Sequence, residues 1–184
     1  MKKKSVIILT VVSGLIILAI FIIFQSRISH YFTTKDFIYW SNNTEITLND
    51  FQGKVNKNSN SKISWWHGLT LTAEGNKVQN AKVSAVFDKS KSWVRDTTDY
   101  KNQLKLQKLR FDLYESFARK FNKKIDEIRF KQNVKYQDLE KIGDEIYAEL
   151  GLQDDAVFDY EDEMTTQERI KTWRPIVDSL LNGG

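Results

Sequence analysis

Three hydrophobic rhythms follow one another along the chain. From Ser5 to Phe24 the apolar residues are continuous, with only Ser, Thr and Gly among Ile, Leu, Val, Phe and Ala and no charge. Between Phe37 and Asp88 the runs are short. There Ala81, Val83, Ala85 and Phe87 alternate with Lys82, Ser84 and Asp88, the period of two that gives a half-buried strand. Beyond Asn102 the spacing changes to three and four, which lines apolar side chains along one face of a helix.

These rhythms predict elements. Phe37-Ile38-Tyr39-Trp40, Ile46-Thr47-Leu48, Ile63 to Thr72 and Ala81 to Asp88 read as strands, with a turn at Asp50 to Gly53 and a hairpin connection at Glu74-Gly75-Asn76. Asn56 to Lys62 reads as a polar loop. A first helix is expected from about Asn102 to Phe130 with Leu106, Leu109, Leu113, Phe117, Phe121, Ile125 and Ile128 inside. A second runs from about Lys135 to Leu150, buries Leu139, Ile142, Ile146 and Leu150, and is capped by Gly151. The third begins at Thr165 or Thr166, where Thr165 and Glu168 match a capping box, and is kinked or restarted by Pro175. Trp173, Ile176, Val177 and Leu180 form its apolar face. The class is α+β: an N-terminal transmembrane helix, then a small antiparallel sheet packed with about three helices.

The uninterrupted segment at 5–24 is read as the transmembrane signal anchor. Twenty residues at ~1.5 Å each reach across the ~30 Å hydrocarbon core, and a helix satisfies its own backbone in lipid. Lys2, Lys3 and Lys4 hold residues 1–4 in the cytoplasm. A cleaved signal would end at small residues, whereas Phe24 is bulky. The expected layout is a cytoplasmic tail (1–4), the anchor in the bilayer (5–24), a juxtamembrane linker (25–35) and an extracytoplasmic domain (36–184). That places the domain at the outer face of a bacterial cytoplasmic membrane, periplasmic or extracellular.

Charge changes the picture once the chain is divided there. The net charge of +4 would suggest nucleic acid. Lys2, Lys3, Lys4 and Arg27 account for 4 of the 28 basic residues, and the rest balance the 24 acidic ones. Beyond Arg27 the chain is neutral, and no nucleic-acid partner is expected. With no cysteine there is neither a disulfide nor a thiolate site.

Several strings resemble one family in order and spacing. Thr47-Leu48-Asn49-Asp50-Phe51-Gln52-Gly53-Lys54 is similar to the opening motif of bacterial envelope proteins predicted to be zinc-dependent proteases (domain of unknown function 922). Val83 to Val94, ending in Ser92-Trp93-Val94, resembles that family's strand-to-loop segment. Leu104 to Leu113 falls where the family has L-x-H-E-Q-x-H-F-D-I, and Gln167 to Trp173 resembles its terminal helix. The resemblance spans roughly Trp40 to Leu181 and implies an H-E-x-x-H helix, in which two histidines four apart bind zinc and the glutamate serves as base.

This chain departs from that pattern at all three positions. Leu106, Gln107 and Arg110 stand where the family has His, Glu and His, and the place of a further ligand falls at Glu163. Leucine has no ligand atom, an amide is no base, and a guanidinium only donates. The expectation is a non-catalytic relative with no metal and no cofactor. Leu106 fills core, and Arg110 is either a solvated helix arginine, the reading favoured slightly, or pairs with Glu163 or another acid of Asp159 to Glu163. Its old cleft, for which Trp66 and His67 are candidates, would bind a peptide, protein or envelope component. The alternative is a hydrolase with a different active site.

Other signals carry less. His67 has only His30 as a fellow histidine, so it is read as a core-edge residue rather than a ligand. Asp154 to Glu163 lacks the glycine and alternation of a calcium loop and is read as solvated. The five Trp are read as core rather than as a sugar platform. Asn42-Asn43-Thr44 matches a glycosylation sequon.

Overall fold

The computed structural model describes residues 13, 14, 25, 31–73, 77–131, 133–158 and 163–183. The chain divides into two compact units, Met1–Asp36 and Phe37–Gly184. In the first, residues 31–34 are helical within the stretch read as a linker. The expected anchor over 5–24 lies outside the described residues except for Ser13 and Gly14. Among the described residues no helix is long and apolar enough to cross a membrane.

The second unit is α+β. Five strands come first, β1 (Phe37–Tyr39), β2 (Ile63–Ser64), β3 (His67–Ala73), β4 (Ala81–Asp88) and β5 (Trp93–Val94). Three helices follow, α1 (Tyr100–Ile128), α2 (Tyr136–Phe158) and α3 (Thr166–Gly183). The strands make a three-stranded antiparallel sheet in the order β1-β4-β3 and a separate antiparallel pair, β2-β5. Ala73 pairs with Ala81, so β3 and β4 form the expected hairpin. Its residues 74–76 lie outside the described ones, and a 3-10 turn at Val78–Asn80 completes the connection.

Two strand readings need correction. Ile46-Thr47-Leu48 is not a strand: Ile46 and Thr47 are irregular and Leu48 opens a 3-10 turn, Leu48–Asp50. The Asp50 carboxylate accepts from both the Thr47 N–H and its hydroxyl at 2.9 Å, a local bond that competes with sheet pairing. The run from Ile63 to Thr72 is not one strand but two, broken at Trp65-Trp66. At that break the Trp66 ring lies over Gly68, where an added Cβ would meet it at 2.5 Å. Only glycine admits so close an approach.

β4 is the central strand, and Ala81, Val83, Ala85 and Phe87 turn inward as their alternation predicts. Helix α1 packs on it and also contacts α2 and α3. The six apolar positions expected from Leu106 to Ile125 are buried, and Ile128 is half-buried. Burial goes further round α1 than one stripe, because Gln107, Phe111, Asp112, Ser116 and Ala118 are also enclosed. Lys120 pairs with Glu149, and Lys124 with Glu145, in an exposed ion-pair ladder between α1 and α2.

Helix α2 does not stop at Leu150. It continues through Gly151 to Phe158, which turns Asp154 from an expected loop residue into a helical one. Burial of Val157 and Phe158 drives the extension, outweighing the ~1 kcal/mol that a helical glycine costs. Helix α3 starts as its capping box predicts. Thr165 N–H donates to Glu168 at 2.9 Å and Glu168 N–H donates to the Thr165 hydroxyl at 3.2 Å. The helix carries Pro175 within it rather than restarting there.

Asn122 of α1 completes the sheet where β1 runs out. Its amide accepts from Val83 N–H and donates to Val83 C=O, both at 2.8 Å, as a neighbouring strand would. Asn122→Ala leaves both main-chain groups of a buried residue unpaired. The expected loss is about 2–4 kcal/mol of unfolding free energy, read by urea denaturation followed by tryptophan fluorescence.

Candidate functional site

The turn of α1 from Leu106 to Arg110 is the place to look, and each of its side chains has a different fate. Leu106 is 1% exposed and belongs to the core. Gln107, one residue on, faces β3. Its amide nitrogen lies 2.7 Å from the His67 Nε2. Phe87, Phe111 and Tyr114 enclose the imidazole, with ring centroids 5.4–5.6 Å away. The sequence named Gln107 and His67 for unrelated reasons, and the fold makes them partners.

Among the described residues this pair is incompletely satisfied. His67 Nδ1 and Gln107 Oε1 are buried with no hydrogen-bond partner. Burial first, and then the charge of Arg110, hold the His67 pKa well below 6.5. A neutral ring accommodates the amide on one nitrogen and leaves the other facing aromatic carbon. Charging it there would expose a cation to a low-dielectric surround with no acid to balance it.

Arg110 lies one turn beyond Leu106. It donates from Nε to Asp154 Oδ1 at 2.8 Å and from its terminal nitrogen to Oδ2, a two-pronged carboxylate contact. Its guanidinium also stacks 4.9 Å from the Phe158 ring centroid. Arg110 thus has an acid partner in Asp154, which lies outside the Asp159 to Glu163 run expected to supply one. Asp154 reaches Arg110 because α2 is two turns longer than expected, so that a residue read as solvated sits against α1. Burial raises the Asp154 pKa, opposed by the charge and hydrogen bonds of Arg110. Burial also raises that of Tyr114 beside it. Glu163 is exposed at the start of the α3 approach, and 159–162 lie outside the described residues.

Trp66, the other candidate cleft residue, takes no part in this cluster. Its ring stacks on Phe37 at 6.1 Å with the Lys91 ammonium 4.1 Å above it. Neither Trp66 nor His67 lines the cavity of about 490 Å³ that opens beside Arg110. Its walls are Ser61 to Trp65, Asp96, Thr98, Asp99, Tyr100, Gln103 and Arg110. Of the three motif positions, only Arg110 reaches it. Sequence reasoning missed β2 and Asp99 as parts of this cavity. A local signal existed in Asp96-Thr97-Thr98-Asp99 before a long helix, a cluster typical of helix entry.

As metal ligands the gathered side chains offer one imidazole and a carboxylate already taken by a guanidinium. Among the described residues no three His, Asp or Glu side chains converge as an ion would need.

Polar groups of α1 are held elsewhere too. Asp112 accepts from Trp40 Nε1 at 2.7 Å, Arg174 at 2.8 Å and Lys108 at 2.9 Å. It thereby ties the end of β1 and the middle of α3 to α1.

Two outcomes are expected. Arg110→Met alone leaves the largely buried Asp154 carboxylate unpaired and costs about 3 kcal/mol, whereas Arg110→Met with Asp154→Leu restores most of it. Equilibrium unfolding of the four members of this cycle measures both. The second concerns pH. The folded pKa of His67 is lowered, so between that value and about 6.5 the unfolded chain binds more protons. The contribution of His67 is full above about 6.5 and is lost as pH falls toward the folded pKa, at up to about 1.4 kcal/mol per unit. His67→Gln is expected to flatten the stability profile between pH 5 and 6.5, as read by urea titrations across that range. No protein-family model matches this chain, no curated protein is similar to it, and no solved structure matches its fold.

Proposed function

We propose that this chain is a membrane-anchored binding domain outside the cytoplasm, a non-catalytic relative of the zinc-protease-like family it resembles. It takes a peptide, protein or envelope component in the cavity beside Arg110. One observation carries the reading. The helical turn aligned with H-E-x-x-H is committed to structural contacts, with Leu106 in the core, Gln107 on His67 and Arg110 on Asp154. These three side chains include neither an imidazole nor a carboxylate to hold an ion or deprotonate a water. The anchor rests on the uncharged run of 5–24 behind three lysines.

The alternative is a hydrolase with an unrecognised site. The lowered pKa of His67 favours it, since perturbed histidines gather at active sites. Against it stands the enclosure of that ring by three aromatic neighbours, with the cavity lined by other residues.

Metal content decides between the main reading and zinc catalysis. The purified full chain is expected to hold less than about 0.1 zinc per molecule by plasma mass spectrometry, far below the one tightly bound ion of a working site. The variant carrying Leu106→His, Gln107→Glu and Arg110→His is expected to take up more. Near-stoichiometric zinc in the native chain would overturn the proposal.

A further inference from the structure

The cavity has one wall made of strand edge, and that edge is open. β2 pairs only with β5, in the register Ile63 to Val94 and Ser64 to Trp93. Antiparallel ladders alternate residues that bond their partner with residues that face away. Arg95 N–H donates to Lys62 C=O at 2.8 Å, so Lys62 faces β5 and Ile63 faces away. The alternation continues beyond the strand, because Trp66 N–H turns inward to the Ser92 hydroxyl at 2.9 Å. The main-chain groups of Ile63 and Trp65 therefore point the same way, two residues apart. Among the described residues neither makes a hydrogen bond on that side. Ser61 to Trp65 all line the cavity.

Charge on the walls is specific. Both cations there have an acid partner, Lys62 with Asp96 at 3.4 Å and Arg110 with Asp154. Asp99 is exposed, and among the described residues it forms no ion pair, its carboxylate accepting from the Asn102 amide. Its backbone is left-handed, with φ of 61°, and the residue lines the cavity. The cavity thus combines open strand edge, the aromatic rings of Trp65 and Tyr100, and one uncompensated negative charge.

We infer that the cavity binds an extended peptide segment as an added strand on β2, hydrogen-bonded to Ile63 and Trp65, with a lysine or arginine of that segment facing Asp99. This rests on the binding reading above and names its ligand class and mode. Main-chain pairing supplies affinity without regard to sequence, and the flanking charge supplies the choice of side chain. At ~3.3 Å per residue, the five residues of wall match a segment of about five.

The test uses the full chain in detergent and three capped pentapeptides. One alternates valine and lysine, one replaces lysine by glutamate, and one is the lysine peptide N-methylated at alternate amides. The expected result is binding of the lysine peptide with shifts of the Ile63 and Trp65 amide resonances. Affinity should fall at least tenfold on N-methylation and about fivefold in Asp99→Asn, the size of one exposed ion pair. Asparagine tolerates the left-handed backbone, so this variant changes charge without adding strain. Equal binding of the glutamate peptide, or binding indifferent to N-methylation, overturns the inference and leaves the broader binding reading in place. If no peptide binds while a different envelope component does, the ligand class assigned here is wrong. A metal-dependent hydrolysis of the lysine peptide would overturn the binding reading itself.

Discussion

A helix buried on most of its faces must find partners for its polar side chains inside the protein, and the domain is organised around meeting that demand for α1. Gln107, Asp112 and Asn122 point into the fold at successive levels of the helix. Each is met by a different element, His67 of β3, Trp40 and Arg174, and the open stretch of β4. An unpaired polar group in such surroundings costs about 1–3 kcal/mol. The same bonds that avoid this cost fix where the sheet and α3 sit on α1. Of these three, the incompletely satisfied member is Gln107, whose Oε1 is enclosed without a hydrogen-bond partner among the described residues.

What the sequence disclosed follows from this. Apolar periodicity found β4 and the six buried stripe positions of α1 because each has one buried face, and the capping box of Thr165 and Glu168 found the start of α3. It did not reveal that α1 is enclosed on several sides, since the extra buried positions are Gln107, Asp112 and Ser116, whose polarity reads as solvent. The end of α2 was hidden for a related reason. Gly151 has the residue type of a cap, and only burial of Val157 and Phe158 carries the helix past it. Ile46 to Leu48 looked like strand because the turn that Leu48 opens is set by one carboxylate rather than by apolar spacing.

The candidate site was legible in its residues and not in its pairings. Leu106 as core could be read from its place in the apolar stripe, whereas Arg110 as half of an ion pair stood second to its reading as a solvated arginine. The identity of the acid could not be read, because it depended on the length of a different helix. Gln107 and His67 stand 40 residues apart, and nothing local links a strand residue to a helix residue. Trp65 and Trp66 are adjacent yet serve different surfaces, one lining the cavity and the other covering Gly68. Extended backbone sends neighbouring side chains to opposite faces, so a double tryptophan cannot belong wholly to a single platform.

The ladder of Lys120 with Glu149 and Lys124 with Glu145 has a consequence for α2. The docking of α2 combines a buried stripe with water-accessible ion pairs, and only the second component weakens as salt rises. The docking of α3 depends less on such pairs, since it places Val177 in the core and bonds Arg174 to the buried Asp112. Salt therefore acts unequally on the two helices. At high ionic strength the contact of α2 rests on its buried stripe, on the Arg110–Asp154 pair and on the bond from the Tyr147 hydroxyl to Leu69 C=O, so that salt tunes the exposed flank of α2 and leaves its inner face seated.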